Sequence, residues 1–149
     1  MADKEEMMKL FLTILLFLGV QTQADLFSVT QSLEIDSEST FYREGDYLFG
    51  YKVIEFKTGE TELVTFESEN SNLLASFGEQ SWQSDDPYLY IYEGEFDPSD
   101  PEGWLYEDDD GGEDLDFYLE ADLSPNTIYN AVITTYNPQE FGTVDVTIT

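Results

Sequence analysis

From residue 25 onward the apolar positions recur mostly at every second residue, the period of a strand with one face in a core and the other in water. In Thr143 to Thr149, Val144, Val146 and Ile148 alternate with Asp145 and Thr147, which predicts a strand that is apolar on one side only. Thr127 to Tyr136 differs, because Tyr129, Ala131, Ile133 and Thr135 lie opposite Ile128, Asn130, Val132 and Thr134. Both faces suit burial, so this segment is expected at the centre of a sheet covered on both sides. Further strands are expected at Leu26 to Ile35, Tyr47 to Lys57, Glu62 to Ser68, Leu73 to Phe77, Tyr88 to Tyr92, Trp104 to Tyr106 and Leu115 to Leu119. Thr58-Gly59-Glu60 reads as a hairpin turn between two of them. No stretch holds a helical period over three turns, and turn formers recur about every 8 to 14 residues. The pattern predicts an all-β fold, an antiparallel β-sandwich with about eight to nine strands.

The first 24 residues are of another kind. Leu10 to Val20 is apolar except for Thr13 and Gly19, and Gln21-Thr22-Gln23-Ala24 follows. This is the pattern of a signal peptide cleaved after Ala24, because the apolar run is too short to cross about 30 Å of hydrocarbon. Asp3, Glu5 and Glu6 sit in what should be a positive leader, a conflict that a start at Met7 or Met8 removes. Residues 1–24 are therefore expected to direct export, and residues 25–149 to form one domain, secreted or held in the cell envelope without membrane insertion.

Composition narrows the chemistry. The chain has no histidine and no cysteine, which excludes triads with a histidine base, nitrogen–sulfur zinc sites and disulfides. With 33 acids against five bases its net charge is −28, so nucleic acid and anionic membrane surfaces are repelled. A glycosidase-like carboxylate pair is also disfavoured, since it needs one acid of raised pKa in an apolar cleft whereas these acids cluster in hydrophilic turns. The expectation is a non-catalytic module.

The acids are not evenly spread. Twelve of them and no base lie between Glu93 and Asp116. Packed carboxylates repel by roughly 1 kcal/mol per pair at about 4 Å in water and about 4 kcal/mol at an effective dielectric of 20. A hard cation reverses that sign, and calcium, which accepts six to eight oxygens in flexible geometry, suits the donors better than magnesium. The spacing is not that of an EF-hand, because Tyr106 would occupy its first ligand position. Instead Asp86, just before one strand, and Asp108 to Asp110, just after another, would meet at one end of a sandwich if those strands pair. The plainer reading is a solvated acidic run.

Asp86-Pro87-Tyr88-Leu89-Tyr90-Ile91-Tyr92, Asp108-Asp109-Asp110-Gly111-Gly112, Tyr129-Asn130-Ala131-Val132-Ile133 and Gly142-Thr143-Val144-Asp145-Val146-Thr147-Ile148 together resemble the bacterial pre-peptidase C-terminal (PPC) domain. The resemblance spans roughly Tyr47 to Thr149. It implies a secreted jelly-roll-like sandwich that in some members binds calcium or an extracellular polymer such as collagen. It also implies that Asp86, Asp109 and Asp110, with Asp108 next, are metal ligands. Asn126 stands near the family's turn glycine, where asparagine is tolerated because it also visits positive φ.

Alternation along Tyr88 to Tyr92 sends Leu89 and Ile91 to one face and Tyr88, Tyr90 and Tyr92 to the other. If exposed, that ladder would bind sugar rings or an extended peptide; if covered, it is packing. The leading expectation is a secreted, calcium-stabilised module that attaches to or organises extracellular polysaccharide or protein polymer. Two readings stand beside it. One is an acidic domain solvated for a saline habitat with no specific ion, the other a carbohydrate-binding module using the three tyrosines.

Overall fold

The computed structural model describes residues 28–43, 45, 47–60 and 63–149, and the expected signal peptide lies outside them. Eleven strands follow in chain order: β1 Val29–Ile35, β2 Thr40–Arg43, β3 Tyr47–Gly50, β4 Lys52–Lys57, β5 Leu63–Phe77, β6 Gln80–Gln83, β7 Pro87–Glu93, β8 Tyr106–Asp108, β9 Tyr118–Asp122, β10 Ile128–Thr135 and β11 Glu140–Ile148. One sheet runs β1-β11-β5-β6, with β9 also paired to β5, and the other runs β4-β10-β7-β8. All pairings are antiparallel. Without the β2–β3 hairpin and β6, eight strands stand in the order 1-11-5-9 and 4-10-7-8. Apart from the β7–β8 pair, successive strands of this set alternate between the sheets, in the manner of a jelly roll.

The core lies between these sheets. Leu33, Ile35, Phe66, Leu73, Val144 and Val146 from one meet Leu89, Ile91, Tyr129, Ala131 and Ile133 from the other. Strand β10 is buried on both faces from Tyr129 to Thr135, as its pattern predicts. The second covering is the β2–β3 hairpin with Phe96 and Trp104, which packs Phe41 and Phe49 onto Tyr90, Tyr92 and Val132. The molecule therefore has three layers at this point, and the third is built largely of aromatic rings.

Several boundaries differ from the pattern. Tyr47 to Lys57 is two strands in different sheets, with the break at Tyr51; just before it, at Gly50, a Cβ would lie 2.8 Å from both the Asp36 carbonyl oxygen and Ile35 Cγ2. The two segments expected at 62–68 and 73–77 fuse into β5, with Asn70 at a φ of 53° and a register shift opposite it in β11. Thr58-Gly59-Glu60 does not close a hairpin: β4 pairs with β10, and β5 with strands of the other sheet. Asn126 does adopt a φ of 56°.

Candidate functional site

Two neighbouring regions hold the residues that the sequence singles out, and β7 connects them. Its register with β8 sets Leu89 opposite Asp108 and Tyr90 opposite Glu107. That pairing brings Asp86 to the same end as Asp109 and Asp110, and the negative charges of the latter two reach Asp86.

Asp86 is the chemically unusual acid of the four. Its Oδ1 is buried without a hydrogen-bond partner. Burial, followed by the charges of Glu140, Asp110 and Asp109, pushes its pKa up to about 6, while Arg43 opposes the shift. Asp108 is occupied otherwise. Its Oδ2 accepts the N–H groups of Gly111 at 3.0 Å and Tyr118 at 2.9 Å, so this carboxylate builds the turn that leads into β9. Asp109 Oδ1 accepts the N–H of Asp110 at 3.0 Å. Among the described residues no three acids are gathered as ligands of a metal ion. The orphaned oxygen of Asp86 is a hard donor that fits calcium, but Asp108 is committed to its turn.

Glu140 is the acid that sequence reasoning misses. It opens β11, is wholly buried, and accepts the backbone N–H and the Nδ2 of Asn137 on Oε2, each at 3.3 Å. Its Oε1 has no partner, and burial raises its pKa. Nothing in Asn137-Pro138-Gln139-Glu140 distinguishes this glutamate from its exposed relatives, since burial here is imposed by the β10–β11 turn folding over Ser84 and Asp86. A second acidic site, a cavity of about 420 Å³ bordered by Asp85, Asp114 and Asp116, is internally satisfied: Asp116 accepts from Ser68 and Ser71, and Asp85 from the Leu73 N–H.

The tyrosine ladder requires a correction. Tyr90 and Tyr92 are only 5% and 6% exposed, and Tyr88 is half-buried, so the three do not form an open face. Tyr90 packs on Trp104 at 5.1 Å between centroids, Tyr92 on Phe96 at 5.0 Å, and the Tyr92 hydroxyl donates to the Pro101 carbonyl at 2.6 Å. The period of β7 is as expected; the hairpin laid over it is not legible in that period.

Exposed rings are found beside the ladder instead. A cleft of about 450 Å³ is lined by Arg43, Tyr47, Phe49, Phe77, Tyr88, Tyr136, Asn137 and Pro138. Tyr47, Phe77 and Tyr136 are 56%, 68% and 52% exposed. Arg43 is engaged with aromatic groups, its guanidinium carbon 4.1 Å from the Phe49 ring centroid and 4.8 Å from that of Tyr88. It donates from Nη2 to the Tyr136 carbonyl at 2.7 Å and from Nη1 to the Tyr90 hydroxyl at 3.2 Å. The sequence signal for this site is faint: a lone arginine between Phe41-Tyr42 and Tyr47-Leu48-Phe49 in a chain almost without bases.

No protein-family model matches the chain, and no curated protein matches it. Among solved structures, the crystal structure of Aeromonas hydrophila PliG, a periplasmic lysozyme inhibitor of g-type lysozyme, is similar at 10% identity with a TM-score of 0.43. The overlap covers 87% of this chain and 91% of that one, and a likeness at this level does not carry the neighbour's activity across. No helix among the described residues is long and apolar enough to cross a membrane.

Proposed function

We propose that this chain is an exported, non-catalytic β-sandwich module of the PPC type that attaches to or organises extracellular material. The observation that carries the proposal is the grouping of three exposed rings, Tyr47, Phe77 and Tyr136, around one cleft. Single exposed aromatics are ordinary on protein surfaces, whereas several at one concavity mark a contact surface. The test is retention of the purified chain on insoluble polysaccharide and collagen matrices. Replacing Tyr47, Phe77 and Tyr136 together with serine is expected to abolish retention with little change in melting temperature; full retention by that variant sinks the proposal.

A stabilising role for calcium is the second reading, favoured by the orphaned Oδ1 of Asp86 in a crowd of negative charge. Asp86 would hold the ion, with Asp109 and Asp110 drawn in towards it since the three are not gathered without it; the ion binds the ionised carboxyl and so competes with its proton. After removal of bound ions by chelator, calcium is expected to raise the melting temperature by several degrees more than sodium chloride at equal ionic strength. A ligand present at a hundredfold excess over its Kd and specific to the native state adds about 2.7 kcal/mol. Equal effects of the two salts, or an increment untouched by Asp86→Asn, would leave the acids as solvated charge.

A further inference from the structure

We infer that the Arg43 cleft takes an uncharged polysaccharide strand; the inference rests on the attachment reading and names the class of ligand. Its walls come from three separate elements. Tyr47 faces Arg43 across the β2–β3 hairpin, and Tyr136 follows the end of β10. Phe77 ends β5, paired with Gln80, on the same strand face as the buried Ala75 but beyond the cover of the opposite sheet. Large rings therefore stand in solvent around a space whose volume falls in the usual range for small-molecule sites, about 300 to 1,000 Å³.

Charge then selects among ligands. Lys52–Asp36 is the one ion pair among the described residues; Arg43 forms none with them, although its charge reaches Asp86. Its positive charge is spread over the Phe49 and Tyr88 rings and two neutral acceptors. A polyanion would meet the field of a −28 chain with this single cation at the contact. A polycation would be drawn to the acidic surface at large and would find a guanidinium in this floor. An uncharged ligand escapes both penalties.

Hydrogen bonding selects further. Of the guanidinium's five N–H donors, two are used in the contacts above and the Nε–H is buried, which leaves one on each Nη, while the Asn137 side-chain carbonyl and the Tyr47 and Tyr136 hydroxyls offer acceptors. Sugar hydroxyls both donate and accept, and the C–H faces of the rings cover aromatic surface. A proline-rich peptide, the other polymer that suits aromatic grooves, brings carbonyl acceptors and lacks N–H donors at its prolines.

The experiment is calorimetric titration of the purified chain with a panel of neutral oligosaccharides (β-glucan, mannan and chitin hexamers), with oligogalacturonate and with decaproline. The expected result is binding of at least one neutral hexamer, nearly independent of salt and weakened about tenfold or more by Phe77→Ala or Tyr136→Ala. Both side chains are exposed, so the melting temperatures of the variants should stay within a few degrees of the parent. Binding of decaproline alone, lost in the same variants, overturns the sugar class and leaves attachment standing. Salt-sensitive binding of oligogalacturonate alone overturns the charge argument. No binding across the panel, with matrix retention unaffected by the variants, overturns the ligand class and the attachment reading together.

Discussion

The outer face of β7 and the acidic turn after β8 are adjacent, and both stand out by residue type, yet the fold uses them in opposite ways. The tyrosines, amphipathic enough to lie on a surface, are mostly taken inside, where Tyr90 and Tyr92 anchor the third layer. The acids stay near solvent and are employed locally, as with Asp108 and its two backbone donors. Each region has one exception: Tyr88 reaches the cleft from the aromatic side, and Asp86 is drawn partly inside from the acidic side. The contrast teaches that residue type marks chemistry that is possible, while the neighbouring layer decides whether it faces water.

The largest expected effect breaks the aromatic side. Tyr90→Ala removes a buried ring together with a hydrogen-bond acceptor of Arg43, and should cost about 3 to 5 kcal/mol in urea unfolding, a large share of a domain's total. Tyr136→Ala should cost less than about 1 kcal/mol, because that ring is already half in solvent. Equal losses would mean that the third layer is not packed on β7 as described.

Next comes the pH dependence of Asp86. Because the folded state holds the proton more tightly than the unfolded chain, with a pKa of about 6 against 3.8, the contribution of this group is fully present below about pH 4. It is lost as pH rises through about 6, where the carboxyl must ionise in a partly dry, negatively charged place. Asp86→Asn should therefore gain on the parent across that window and be the more stable protein at pH 7 in calcium-free buffer. A shift of this size corresponds to about 3 kcal/mol, which solvent at a half-exposed carboxyl reduces to about 1 to 2. Parallel stability curves for the two proteins would remove the unusual environment assigned to Asp86.

The smallest effects separate the loop acids. Asp108→Ala should cost about 1 to 2 kcal/mol by freeing two backbone donors, whereas Asp110→Ala, on an exposed side chain, should stay within about 0.5 kcal/mol without calcium. Matching values would place Asp108 among merely solvated charges.

Much of the scaffold is legible in the chain because burial on a strand leaves a period. The double-sided burial of β10 and the two faces of β7 follow from local pattern, and the positive φ of Asn126 from its place near the turn glycine of the family that the chain resembles. Strands β2 and β6 are not legible: Thr40–Arg43 and Gln80–Gln83 are four residues each, and β6 is exposed throughout, so no alternation develops. That Asp86 feels the charges of Asp109 and Asp110 follows from expecting adjacent antiparallel strands, whereas the charge of Glu140 reaches it from a turn distant in sequence.

By itself the amino-acid sequence determines that the chain is all-β, strongly acidic, without thiol or imidazole chemistry, and rich in rings that must find cover. These are properties of composition and of nearest neighbours, which act before any long-range contact forms. Only the tertiary structure decides that Tyr90 and Tyr92 are covered while Tyr47, Phe77 and Tyr136 are not, that Asp108 closes a turn, and that Arg43 lies among aromatic rings. Those outcomes depend on how the β2–β3 hairpin and the β10–β11 turn seat against β7. Exposure and electrostatic environment are set by residues far apart in the chain, so no local period records them.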